Sequence, residues 1–112
     1  MIDFNELKKE KIEKFNNGEG FITRYMYDDG CVKVMKITLK KGASIGLHQH
    51  TTSLEVVYVL SGEATSTLDG VTEKVEKGNI IYVPNKGMHT IKNKGDKNLV
   101  LLCIVPEINK SI

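Results

Sequence analysis

The sequence predicts an all-β domain, a sandwich or barrel, preceded by one short helix. Three observations carry that prediction. After residue 20 the chain is a succession of short runs rich in β-branched and aromatic residues. Glycine-containing turn signals fall between them, at Asp29-Gly30, Lys41-Gly42, Ser61-Gly62, Asp69-Gly70, Lys77-Gly78, Lys86-Gly87 and Gly95-Asp96. The length of 112 residues suits one domain with a core of its own.

The first element expected is a helix over Asp3 to Asn17, within an N-terminal segment of residues 1–20. Asp3 followed by Glu6 resembles a capping box, and Gly18 reads as a stop. Its apolar residues, Phe4, Leu7, Ile12 and Phe15, form a ragged stripe, so loose packing is expected. The strands follow in order: FITRYMY, CVKVMKITL, SIGLHQH, EVVYVL, EATSTL, VTEKVE, NIIYVP, HTIKN and NLVLLCIV. Asp69-Gly70, flanked by Leu68 and Val71, predicts a two-residue hairpin. No linker, repeat or low-complexity segment divides the chain, so 1–112 is expected to form a single domain.

Composition excludes several classes of function. A net charge of +2, with lysines scattered through both halves, does not suit a nucleic-acid surface. No apolar run has the length of a signal peptide or a membrane span, and a cytoplasmic location is expected. Cys31 and Cys103 lack a CxxC spacing and are expected as free thiols, one in a strand and one in the core.

The chemistry is concentrated in GASIGLHQHTTSLEVVYVLSG, residues 42–62. Residues i and i+2 of a strand share a face about 6.8 Å apart, so His48 and His50 project from the same side. Glu55 opens the next strand and can reach across a short connection. His89, the only other histidine, follows the run NIIYVP. Charge in an apolar neighbourhood is costly unless paired, hydrogen-bonded or bound to metal. All three histidines can belong to one site.

The spacing of Gly42, His48, His50, Glu55 and Gly62 resembles the first motif of the cupin superfamily. Gly78, Pro84, His89 and Asn93 are similar to its second motif, with Gly87 one place later than the family's PxG. The resemblance covers residues 30–106 and suits the small single-domain, cupin 2 type. It implies an antiparallel jelly-roll β-barrel holding one divalent transition metal (Mn, Fe, Ni, Co or Zn) on His48, His50, Glu55 and His89. Strand alternation and the resemblance together make Met35, Val57, Val59, Ile81, Val83 and Ile91 the expected lining of an apolar pocket with no general acid or base. Tyr58 and Tyr82 then point outward. Arg24, Tyr25, Tyr27 and Met88 are further candidates to enter the cavity. A carboxylate clamp is attractive for Arg24, the only arginine, but a surface ion pair is the expected role.

Two functions fit. The first is a small isomerase, lyase or dioxygenase acting on a sugar acid, keto acid or sugar derivative held on the metal. The second is a non-catalytic module binding a small ligand through the same metal. No nucleic acid and no membrane are expected as partners. The outward tyrosines and the apolar strand LVLLCIV predict a homodimer.

Overall fold

A computed structural model describes residues 1–108 of the chain. Ten strands form two antiparallel sheets: β1 (Glu10–Glu13), β2 (Phe21–Asp28), β3 (Val32–Leu39), β4 (Ser44–Gln49), β5 (Glu55–Ser61), β6 (Glu63–Leu68), β7 (Val71–Glu76), β8 (Ile80–Val83), β9 (Met88–Lys92) and β10 (Leu99–Pro106). The larger sheet runs β1-β2-β3-β10-β5-β8 and the smaller β4-β9-β6-β7. This is the two-sheet plan of a jelly roll, with the sheets left open rather than closed into one barrel.

The core lies between the sheets and follows from alternation. Met35, Ile37 and Leu39 on β3, Val57 and Val59 on β5, and Leu99, Leu101, Cys103 and Val105 on β10 all point inward and are buried. Ile45 and Ile91 meet them from the smaller sheet. The alternate positions Tyr58, Tyr82 and Ile104 are exposed. Asp69 and Gly70 both have positive φ, at 48° and 83°, and join β6 to β7 with Leu68 opposite Val71. That is the primed turn whose twist suits a two-residue hairpin.

The N-terminal helix is corrected. Residues 3–17 hold two 3-10 turns, Phe4–Glu6 and Phe15–Asn17, with β1 between them. Asp3 does cap the first, accepting from the Asn5 amide at 2.9 Å. The ragged stripe explains the failure of a longer helix: no continuous apolar face exists for it to bury, whereas pairing with β2 places Ile12 opposite Ile22. Gly18 does end the second 3-10 turn, its amide donating to the Phe15 carbonyl at 3.0 Å, and it has a further role. A Cβ there would lie 2.1 Å from the Ser44 carbonyl oxygen, and one on Gly46 would lie 2.0 Å from that of Asn16. The Phe15–Asn17 turn is thus pressed backbone to backbone against β4. Cys103 is buried as expected, but Cys31 sits exposed in the turn before β3 rather than in a strand.

Candidate functional site

Three connections bring His48, His50, Glu55 and His89 together. His48 on β4 stands opposite His89 on β9, next to an irregularity in the pairing between Ile45 and His48. His50 lies just past the end of β4, and its carbonyl accepts from the Lys86 amide at 2.6 Å. Gln49 Nε2 donates to the Lys86 carbonyl at 2.9 Å, and Asn85 Nδ2 to the Ser53 carbonyl at 3.0 Å. The turn between β8 and β9 therefore braces the loop that carries His50. Lys86 occupies the position of the family's PxG glycine and takes the left-handed conformation itself, with φ of 70°. Glu55 begins β5 opposite Val83 and is 5% exposed.

Within the cluster Glu55 Oε1 lies 3.1 Å from His50 Nε2 and 2.9 Å from His89 Nε2. The two Nε2 atoms are 3.2 Å apart. Burial pushes the Glu55 carboxyl up, but hydrogen bonds from His50 and His89 and their charge outweigh it and hold it at about 2. Burial moves His48 below the usual histidine value. Its hydrogen bond to the Gly46 carbonyl opposes that shift, and the neighbouring imidazoles add to it. Cys103 is pushed well above its usual value, first by burial and then by the Glu55 charge.

The donor set fits a divalent transition ion. His48 Nδ1 engages the Gly46 carbonyl at 2.7 Å, and His50 Nδ1 faces Ser53 Oγ at 3.1 Å. Each contact occupies Nδ1 and leaves Nε2 as the nitrogen that could offer a lone pair to an ion, the arrangement by which protein groups orient metal-binding imidazoles. His89 Nδ1 is buried with no partner among the described residues, so its ring is anchored through Nε2 alone. One donor atom from each of the four residues lies within 4.8 Å of all the others. Ligands about 2.0–2.2 Å from an ion are separated by at most about 4.4 Å, so the observed spacing is close to what one shared ion would require.

The cluster forms one wall of a cavity of about 340 Å³. Met35 and Ile91 line it together with Ile37, Ile45 and Val105. Val57, Val59, Ile81 and Val83 do not. They point inward, but deeper in the core, where inward-facing means packed rather than cavity-lining. The expectation of an apolar wall without acid or base holds on one side only, because Arg24, Lys33, Ser53 and Glu107 also line the cavity. Arg24 stands out in the sequence as the only arginine. Glu107 follows the last strand run with no pattern to mark it, and reaches the site because Ser53 bridges to it. Tyr25, Tyr27 and Met88 are not among the lining residues. Tyr25 faces an outer groove, Tyr27 Oη donates to Asp29 at 3.3 Å, and Met88 is exposed.

Two antiparallel sheets with three histidines and a glutamate gathered on the wall of one cavity are the arrangement of a cupin. The chain belongs to the cupin domain family, with residues 35–105 matching it. An uncharacterized protein of Methanocaldococcus jannaschii is 36% identical over 110 residues, covering 92% of this chain and 88% of that protein. An oxalate-binding protein of Thermotoga maritima is 23% identical over 111 residues, covering 94% and 92%. Among solved structures, a predicted oxalate decarboxylase from Thermotoga maritima superposes with a TM-score of 0.90 at 22% identity, over 96% of this chain and 99% of that one.

Proposed function

We propose that the chain binds one divalent transition metal, drawn from Mn, Fe, Ni, Co or Zn, on His48, His50, Glu55 and His89. It acts as a small enzyme on a sugar acid, keto acid or sugar derivative held beside that metal. The observation that carries this reading is the convergence of four donor atoms on the wall of a cavity of about 340 Å³. Bound there, a metal supplies Lewis acidity or, as iron, redox capacity, which suits isomerase, lyase or dioxygenase chemistry. The chain's own residues do the rest. Glu55 is a carboxylate at neutral pH and brings negative charge to the cation. Met35, Ile37, Ile45, Ile91 and Val105 exclude water from one side of the ligand. Glu107 is the one acidic lining residue outside the donor cluster, and is placed to hold or move a proton.

A second reading is a non-catalytic module that binds a small ligand through the same metal. It is favoured by the exposure of the acid-base candidate, since Glu107 is only half-buried and lies at the end of a strand rather than deep in the cavity. Glu107→Gln separates the two. If the chain is an enzyme, this substitution removes turnover of a small hydroxy or keto acid while leaving metal content and ligand affinity intact. If wild-type protein binds such acids without turning any over, the binding module is the better description.

The same reading includes a cytoplasmic location and a homodimer formed through the outer face of the larger sheet. Tyr58, Ile80, Tyr82 and Ile104 stand exposed side by side on β5, β8 and β10. No helix among the described residues is long and apolar enough to cross a membrane.

A further inference from the structure

We propose that Arg24, held in place by Glu10, selects the ligand, and that the cavity takes small carboxylic acids rather than neutral sugars or alcohols. This rests on the reading that a metal-held small molecule occupies the cavity, and it narrows the ligand class.

Arg24 lies on β2 directly opposite Glu10 on β1. Its Nε donates to Glu10 Oε1 at 3.1 Å. The expected surface ion pair does form, but the guanidinium is not on the surface: the Arg24 side chain is 17% exposed and lines the cavity that the histidines also line. Glu10 is not a lining residue. The ion pair therefore occupies the Nε edge of the guanidinium with a group outside the cavity lining. Nη1 has only a 3.9 Å contact with Met35 Sδ, itself a lining residue, and neither terminal nitrogen has an oxygen acceptor among the described residues. Phe15 backs the group, its ring centroid 5.6 Å from the guanidinium carbon.

A partly buried guanidinium with unfilled N–H groups is a recognition element for a planar anion. Its fork matches the two oxygens of a carboxylate, and such charge-assisted pairs are about twice as strong as neutral hydrogen bonds. Lys33 adds a second cation to the lining. A neutral polyol can accept from the guanidinium through a hydroxyl oxygen but brings it neither negative charge nor a matched pair of acceptors. Arg24, Glu10 and Lys33 all lie outside residues 35–105, so this device is not part of the segment that matches the family. It depends on β1, the strand that replaces the expected N-terminal helix.

The test is calorimetric titration of the full chain, loaded with one equivalent of Mn(II) and in parallel with Zn(II). Three matched pairs serve as probes: glycolate against ethylene glycol, glycerate against glycerol, and malonate against 1,3-propanediol. At least one acid is expected to bind 10-fold or more tightly than its alcohol. Arg24→Gln should lower that preference by about 10- to 100-fold without changing metal stoichiometry. Glu10→Gln keeps the hydrogen-bond acceptor but weakens the pairing, and should lower the preference several-fold. It serves also if Arg24→Gln fails to fold. Equal binding of acids and alcohols, or an acid preference that survives both substitutions, overturns the inference and leaves the metal reading standing. If the loaded protein binds neither acids nor alcohols, the metal-held-ligand reading falls and the inference with it.

Discussion

His50 Nε2 and His89 Nε2 face each other at 3.2 Å, with Glu55 Oε1 about equally close to both. Two imidazole nitrogens and a carboxylate oxygen thus converge at a spacing that one divalent ion would satisfy. Such an ion would take a donor atom from His48 as well, and its binding would be linked to folding. The fold supplies this crowding from three separate connections, and its energetic consequences can be measured.

The first concerns linkage. A metal that binds only the folded state at 100 times its Kd adds about 2.7 kcal/mol of stability. Chelator should therefore lower the wild-type Tm by about 11–22 °C, on the order of 4–8 °C for each kcal/mol in a domain near this size. For His48→Ala, metal stoichiometry should fall, and the Tm should be nearly the same with metal and with chelator. A scanning fluorimetry series with and without chelator checks this. An equal Tm loss from His48→Ala in both conditions would make His48 structural.

The second concerns pH in the chelated protein. His48 sits below its ordinary value of 6.5, so as pH falls through 6.5 the unfolded chain takes up a proton that the folded chain resists. Glu55 moves from 4.5 to about 2, and its contribution is present above 4.5 and lost as pH falls toward 2. Both signs agree: stability declines on acidification, first below 6.5 and again below 4.5. His48→Gln should flatten the upper part of a Tm-against-pH curve and leave the lower part. A wild-type Tm that rises between pH 7 and 5 would contradict these assignments.

Two glycines make a third comparison. Gly46→Ala sets a Cβ against the Asn16 carbonyl and the Gly18 amide, both backbone, and should cost about 3 kcal/mol while disturbing the carbonyl that orients His48. Gly42 has φ of 82° but open space around it, so Gly42→Ala should cost only about 1–2 kcal/mol, from backbone strain alone. Urea midpoints measure both. Metal affinity should fall only for Gly46→Ala.

Assembly is the fourth. Tyr82→Glu places a charge in the exposed apolar face of the larger sheet and should shift sedimentation from dimer to monomer, with metal content unchanged. A wild-type monomer at micromolar concentration would end the dimer reading.

Much of this fold is legible in the sequence because alternation and turn glycines act locally. Asp69-Gly70 fixes a hairpin by backbone preference alone, and the period of two in EVVYVL suffices to send Val57 inward and Tyr58 outward. The four clustered residues are legible for a similar reason, since His48 and His50 keep a spacing of two at the end of β4, and Glu55 and His89 stand at the starts of β5 and β9. The N-terminal segment is not legible in that way. Asp3 caps a turn as it would a helix, and only the partnership of Ile12 with Ile22 and of Glu10 with Arg24, distant in sequence, makes residues 10–13 a strand. The cavity lining fails for the same reason. Alternation tells inward from outward, but not which inward residue meets the cavity, as Ile91 does and Val59 does not, and Glu107 arrives through a bridge to Ser53.

The central claim is one metal on four residues, and elemental analysis tests it most directly. Wild-type protein, purified without chelator, should carry close to one equivalent of a divalent transition metal, or take up one equivalent when it is added. Glu55→Gln and His89→Ala should each carry far less under the same treatment. Wild-type protein that holds no such metal and refuses added Mn, Fe, Co, Ni and Zn would contradict the account.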